Sequence, residues 1–145
     1  MNRLWKEKGE LDKNEKRLVQ LAMKAQKRAY APYSNYCVGA AIEDSFGNYH
    51  SGCNVENASY SVAICAERAA VAKMVSRGVT RMKRVAVVTS SKMPAFPCGP
   101  CLQVLYEMGG KEIIVLAMDR SGEKIFETSV GELFPGAFTK ESLTT

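Results

Sequence analysis

Two short segments far apart in the chain, Cys65-Ala66-Glu67-Arg68 and Pro97-Cys98-Gly99-Pro100-Cys101, put three cysteines at the starts of two predicted helices. Any fold that brings those helix starts together builds a metal site. Residues three apart on a helix share a face, so Cys98 and Cys101 point at one ion, and Cys65 supplies a third thiolate from the other helix. Three protein ligands leave one position of a tetrahedral zinc ion open. An open position separates catalytic from structural zinc, because water binds there and loses a proton near neutral pH.

Charge places further demands on the neighbourhood. Three thiolates against one divalent ion leave about −1 by formal charge alone. Helix N-termini carry partial positive charge and lower thiol pKa, and Arg68 follows Cys65 by three residues, within reach of the sulfurs. Arg68 is therefore expected to balance charge. Glu67 lies two residues beyond Cys65 and does not share its direction on a regular helix, so it is read as a proton carrier and not as a ligand. One carboxyl group beside a metal can deprotonate attacking water, protonate a ring nitrogen and then protonate departing ammonia. The plainer alternative is a set of buried thiols or a closed structural zinc site, with Cys53 as the fourth ligand, but such a site has no use for Glu67. Cys37 and Cys53 otherwise read as core thiols. His50, the one histidine, reads as an exposed or satisfied structural residue.

The rest of the chain reads as a single domain over residues 1–145. Five cysteines and an N-terminus with charge but no apolar block argue against a disulfide framework and a secretory signal, so the cytoplasm is the expected compartment. No apolar run approaches a membrane span, and no membrane association is expected. The net charge of +5 is spread among interleaved acids, as in Lys6-Glu7-Lys8, so no nucleic-acid partner is expected.

Periodicity predicts a helix capped by Asp12 and Glu15, carrying Leu18, Leu21, Ala22, Ala25 and Ala29 on one face and ended by Pro32. A hairpin follows, with strands over 36–43 and 49–55 around the turn Asp44-Ser45-Phe46-Gly47-Asn48. A second helix is predicted over 64–78, a buried strand over 84–89, a third helix over 98–108, strands over 112–118 and 123–128, and a short helical piece over 130–134. Alternating helices and strands point to an α/β fold with a mixed sheet covered by helices.

The Cys-Ala-Glu and Pro-Cys-x-x-Cys pattern is that of zinc-dependent nucleobase deaminases. Together with Gly52-Cys53-Asn54-Val55-Glu56-Asn57-Ala58-Ser59-Tyr60 and Glu132-Leu133-Phe134-Pro135-Gly136-Ala137-Phe138, it closely resembles the small homotetrameric cytidine deaminases over residues 30–143. The resemblance implies a mixed five-stranded sheet sandwiched between helices in three layers. It also implies one zinc ion per chain on three thiolates, and hydrolysis of cytidine and deoxycytidine to the uridines and ammonia in pyrimidine salvage. Asn54 and Glu56 match the residues that hold the sugar hydroxyls in that family, and residues two apart on a strand face the same way. Tyr36 matches the aromatic residue that stacks on the base, Ala66 falls among the substrate-binding positions, and Phe138 matches a tail residue that covers a neighbouring subunit's site. Read alone, Phe134 and Phe138 equally anchor the tail on their own subunit.

Two positions depart from the family pattern. Leu102 follows Cys101 where arginine is usual, and Tyr36 stands where phenylalanine is more usual, its hydroxyl asking for a polar partner or solvent. These departures keep a second substrate in view, a modified cytosine nucleoside of the blasticidin S type. A non-catalytic zinc-stabilised interaction module and a cytidine editor of RNA complete the readings; the RNA editor would need a groove for flanking nucleotides.

Overall fold

The computed structural model describes residues 4–144. Helix α1 (Lys13–Gln26) starts where the sequence places it. Asp12 accepts the Glu15 backbone N–H at 2.8 Å, and the Glu15 carboxylate accepts the Asp12 N–H at 3.0 Å, a reciprocal cap that satisfies two otherwise orphaned donors. Its end is earlier than expected. The helix stops at Gln26, short of Ala29 and Pro32, because the chain turns to meet residues 54–56: the Tyr30 N–H donates to the Asn54 carbonyl at 3.0 Å and the Glu56 N–H to the Tyr30 carbonyl at 2.8 Å. Two backbone bonds there replace continuation of the helix.

The hairpin forms from β1's successors in the chain, β2 (Val38–Asp44) and β3 (Tyr49–Cys53), where β1 (Leu4–Glu7) is the short strand that opens the described chain. After α2 (Ala66–Ser76) come β4 (Met82–Thr89), α3 (Gly99–Gly109), β5 (Ile114–Met118), β6 (Lys124–Ser129) and α4 (Val130–Leu133). The sheet order is β1-β6-β5-β4-β2-β3, parallel between β4 and β5 and antiparallel elsewhere. The α/β sandwich is as expected, with six strands in place of five. The added strand is β1, whose four residues Leu-Trp-Lys-Glu are too few and too charged to show alternation; its pairing with β6 creates it.

Alternation along the central strands divides the core in two. Ala41, Ala86, Val88, Leu116 and Met118 pack under α1, while Ala40, Ile42, Val85, Val87 and Val115 pack under α2, α3 and α4. Met74 and Leu105, each fully buried, contribute about 1.5–3 kcal/mol apiece from apolar area removed from water.

One glycine sets the height of α2 over the sheet. A Cβ on Gly52 of β3 would lie 2.6 Å from the Ala70 nitrogen and 2.8 Å from the Ala66 carbonyl oxygen, closer than any side chain tolerates. Only glycine lets the N-terminal half of α2 approach so closely, and that half carries the chemistry.

Candidate active site

Cys65 and Cys98 are the N-cap residues of α2 and α3, with extended backbones at ψ 155° and 172°, and Cys101 lies in the first turn of α3. Their three sulfurs fall within 4.8 Å of one another. Tetrahedral zinc–thiolate bonds of about 2.3 Å set sulfurs about 3.8 Å apart, and the Cys65 and Cys98 sulfurs are 3.9 Å apart. That is far too long for a disulfide and fits one shared ion. Cys101 is fully buried, while Cys65 and Cys98 line a cleft of about 390 Å³. Among the described residues no other group of cysteine, histidine and carboxylate has this convergence.

Cys53 is outside it. Its thiol donates to the Arg28 carbonyl at 3.5 Å, and both Cys53 and Cys37 are only half-buried, so neither is the core thiol the sequence suggests and a closed four-cysteine site is not built. β3 is an edge strand of the sheet, and Cys53, its last residue, faces a surface groove with Leu21, Lys24 and Arg28.

The electrostatics of the three thiols are unequal. The neighbouring Cys101 thiol, with help from Arg68 and Cys98, pulls the Cys65 thiol down to about 5 against the opposing effect of burial. Cys101 is pushed up, first by the Cys65 sulfur and then by burial. A divalent cation among them favours all three thiolates together. Arg68 donates from Nη2 to the Cys65 sulfur at 3.4 Å, and that contact raises its own pKa, so it stays charged. It lies where the charge argument requires a cation. Leu102 is buried in the apolar cluster under the sheet, so the position that is usually arginine in the resembling family contributes packing here.

Glu67 is 5% exposed yet lines the cleft. Burial raises its pKa, opposed by its own backbone N–H and by the Cys101 thiol. A carboxyl group so placed holds a proton more readily than one in water.

The far side of the cleft is made by the chain on either side of β2 and β3. Asn54 and Glu56 were expected on a strand, but β3 ends at Cys53. The segment still runs extended enough for Val55 to bridge Tyr30 and Ile64, and both side chains line the cleft. Asn54 accepts the Val38 N–H at 2.9 Å and donates to the Tyr36 carbonyl at 2.8 Å, leaving one N–H and one lone pair unspent. Glu56 accepts the Tyr33 and Ser34 backbone N–H groups at 2.9 and 3.1 Å, along with the Ser34 hydroxyl. That hydroxyl, more than the two amides, holds its carboxyl below the usual carboxylate range.

Tyr36 and Ala66 also line the cleft. Phe138 does not: it is 57% exposed, and its carbonyl accepts a hydrogen bond from the Gln103 amide at 2.7 Å. Phe134 packs edge-on to Tyr106 of its own chain. His50 proves to be the satisfied alternative, 3% exposed and 2.7 Å from the Asp44 carboxylate. Sequence reasoning missed Phe96, Thr89 and Tyr60 as cleft residues. Tyr60 closes the Gly52–Tyr60 segment that carries Asn54 and Glu56 and is legible there; Phe96 sits in a loop with no periodicity to expose it.

Comparison with known proteins agrees with this geometry. Residues 12–117 match the family described as the cytidine and deoxycytidylate deaminase zinc-binding region. The chain is 44% identical over 128 residues to a cytidine deaminase of Sporosarcina psychrophila, covering 88% of this chain and 93% of that one. It is 38% identical to a Mycobacterium tuberculosis cytidine deaminase, over 84% of this chain and 87% of the relative. The crystal structure of a Burkholderia pseudomallei cytidine deaminase superposes with a TM-score of 0.80 at 41% identity, covering 85% of this chain and 98% of that one. With the three-thiol cluster and its neighbouring carboxyl in place, the chain belongs to the cytidine and deoxycytidylate deaminase family of zinc-binding enzymes.

Proposed function

We propose that this chain hydrolyses cytidine and deoxycytidine to the corresponding uridines and ammonia. The observation that carries the reading is Glu67: a buried carboxyl facing a cleft, beside three thiols spaced for one zinc ion. Cys65, Cys98 and Cys101 would hold that ion, which when bound supplies Lewis acidity and an acidified water.

The chain's own groups do the rest. Glu67 takes a proton from the attacking water, gives it to ring nitrogen N3, and then carries the second proton to the amine as the C4–N4 bond breaks. Its proton affinity, raised by burial, suits a group that must give a proton as well as take one. Arg68 offsets the thiolate charge. At the opposite end Glu56, oriented by three donors, accepts a hydrogen bond from a sugar hydroxyl, and Asn54 offers its unspent N–H. Tyr36 places an aromatic face along the base, and the backbone at Ala66 lies beside it, where the first turn of α2 faces the cleft. A preorganised site of this kind spends little on rearrangement as charge develops.

Phe138, exposed and not among the residues that line its own cleft, suits contact with a neighbouring copy in a homotetramer. The test is turnover measured by the loss of cytosine absorbance, with zinc-loaded protein acting on cytidine, deoxycytidine and blasticidin S. The expected order is both natural nucleosides well above blasticidin S; a reversed order would move the assignment to a modified nucleoside, and no turnover of any would overturn the catalytic reading.

A further inference from the structure

We propose that Phe96 determines specificity in the cleft by limiting the substituent a cytosine base carries beside the amine under attack, and that β1 buttresses it. The proposal rests on the cytidine reading above and names which bases the site accepts.

Phe96 lines the cleft and precedes by two residues Cys98, one of the three thiols and itself a cleft residue. A base with C4 toward the thiols and N3 toward Glu67 leaves C5 as the other neighbour of C4. Glu67 belongs to α2 and Phe96 to the loop before α3, so the wall without Glu67 is the one that meets a C5 substituent.

A loop side chain 41% exposed restricts a substrate only if something fixes it. Phe96 meets Phe126 edge-on at 5.3 Å, and Phe126 in turn meets Trp5 edge-on at 4.9 Å. Both are favourable quadrupole geometries. Trp5 and Phe126 are directly opposed in the β1–β6 ladder, and directly opposed residues share a sheet face. The same row continues from Phe126 to Ala117 and from Ala117 to Val87, and Val87 is itself a cleft residue. Trp5 is therefore tied to the cleft by a ring contact and by a cross-sheet row. The family match covers residues 12–117, so Trp5 and Phe126, the two rings behind Phe96, both lie outside it.

The experiment compares kcat/KM for cytidine and 5-bromocytidine in the full-length, zinc-loaded wild type, Phe96→Ala, Trp5→Ala and Trp5→Phe. Phe96→Ala is expected to raise the ratio of 5-bromocytidine to cytidine about tenfold, the scale of discrimination by one apolar group in a pocket. Trp5→Ala should shift it about threefold in the same direction, and Trp5→Phe should restore it. A purely structural role lowers both substrates together, so an unchanged ratio in Phe96→Ala overturns the specificity role. A changed ratio there with a wild-type ratio in Trp5→Ala overturns the buttress. Trp5 is the single tryptophan, so its emission gives a second readout: cytidine binding should alter it in the wild type and not in Phe96→Ala. Wild-type turnover of cytidine without any such change counts against the contact while leaving the deaminase reading intact.

Discussion

The two ends of α2 each gather charged and titratable side chains, and they are built on opposite plans. At the C-terminal end, the C-cap residue Arg77 donates to His50 Nδ1 at 3.3 Å, and His50 Nε2 lies 2.7 Å from Asp44, whose other oxygen accepts the Phe46 and Asn48 N–H groups at 2.8 and 3.0 Å. The Arg77 bond fixes the tautomer, leaving Nε2 to donate to Asp44. The buried His50 and Asp44 are both matched inside the protein, and a cation sits at the negative end of the helix dipole. At the N-terminal end, thiols occupy the positive end, Glu67 faces the cleft, and Arg68 keeps a buried Nε with no hydrogen-bond partner among the described residues. One cluster is closed, and the other retains unspent capacity. Unspent capacity is what a ligand or a reaction uses.

The sharpest way to separate them is Glu67→Gln. The variant keeps shape and loses the proton carrier, so kcat should fall by about 10³–10⁴, within the range general acid–base catalysis supplies. Zinc content, measured by atomic absorption, and the thermal midpoint should stay at wild-type values. A loss of zinc in step with kcat would place Glu67 among the groups that hold the metal, and the contrast between the two ends would then rest on ligation and not on proton transfer.

Legibility from sequence divides along the same line. The N-terminal cluster was readable because metal chemistry fixes residue type and spacing together: Cys98 and Cys101 share a helix face whatever surrounds them. The capping box at Asp12 and Glu15 was readable for the same reason, being local. What escaped was decided by contacts between distant segments. The early end of α1 depends on Tyr30 finding residues 54–56, and β1 exists only because β6 offers it an edge. His50 could be read two ways until the fold brought Arg77 and Asp44 to its two nitrogens. Phe96 entered the cleft through a loop whose path no pattern encodes.

The closed cluster predicts a different response. His50→Ala leaves Asp44 buried and short of its partner and opens a small void, at a cost of about 2–3 kcal/mol in unfolding free energy. Urea denaturation should show this as a lower midpoint at unchanged slope. With substrate saturating, kcat should stay within about twofold, since neither residue touches the cleft. A larger loss of kcat than of stability would mean that the C-terminal cluster holds α2 in a catalytically exact position, and the division between the two ends would weaken.

The smallest expected effect is a slope. Burial alone would raise the Asp44 pKa, but the His50 hydrogen bond and the Asn48 and Phe46 amides more than reverse this, and the net shift is downward. A carboxyl whose folded pKa lies below its unfolded value stabilises the protein fully above the unfolded pKa, and that contribution fades as pH falls toward the folded one. Stability of the wild type should therefore drop on acidification below about pH 5, with Asp44 supplying part of the drop. Asp44→Asn removes that titration, so its unfolding free energy should be lower at pH 7 and should change less between pH 5 and pH 3. Asp12, lowered through the Glu15 backbone N–H first, Glu56, lowered through the Ser34 hydroxyl first, and Glu141, lowered through the Thr139 side chain first, remain in the variant and set a residual slope. Parallel curves for wild type and Asp44→Asn across that range would mean the closed cluster stores no pH-dependent stability and owes its order to packing alone.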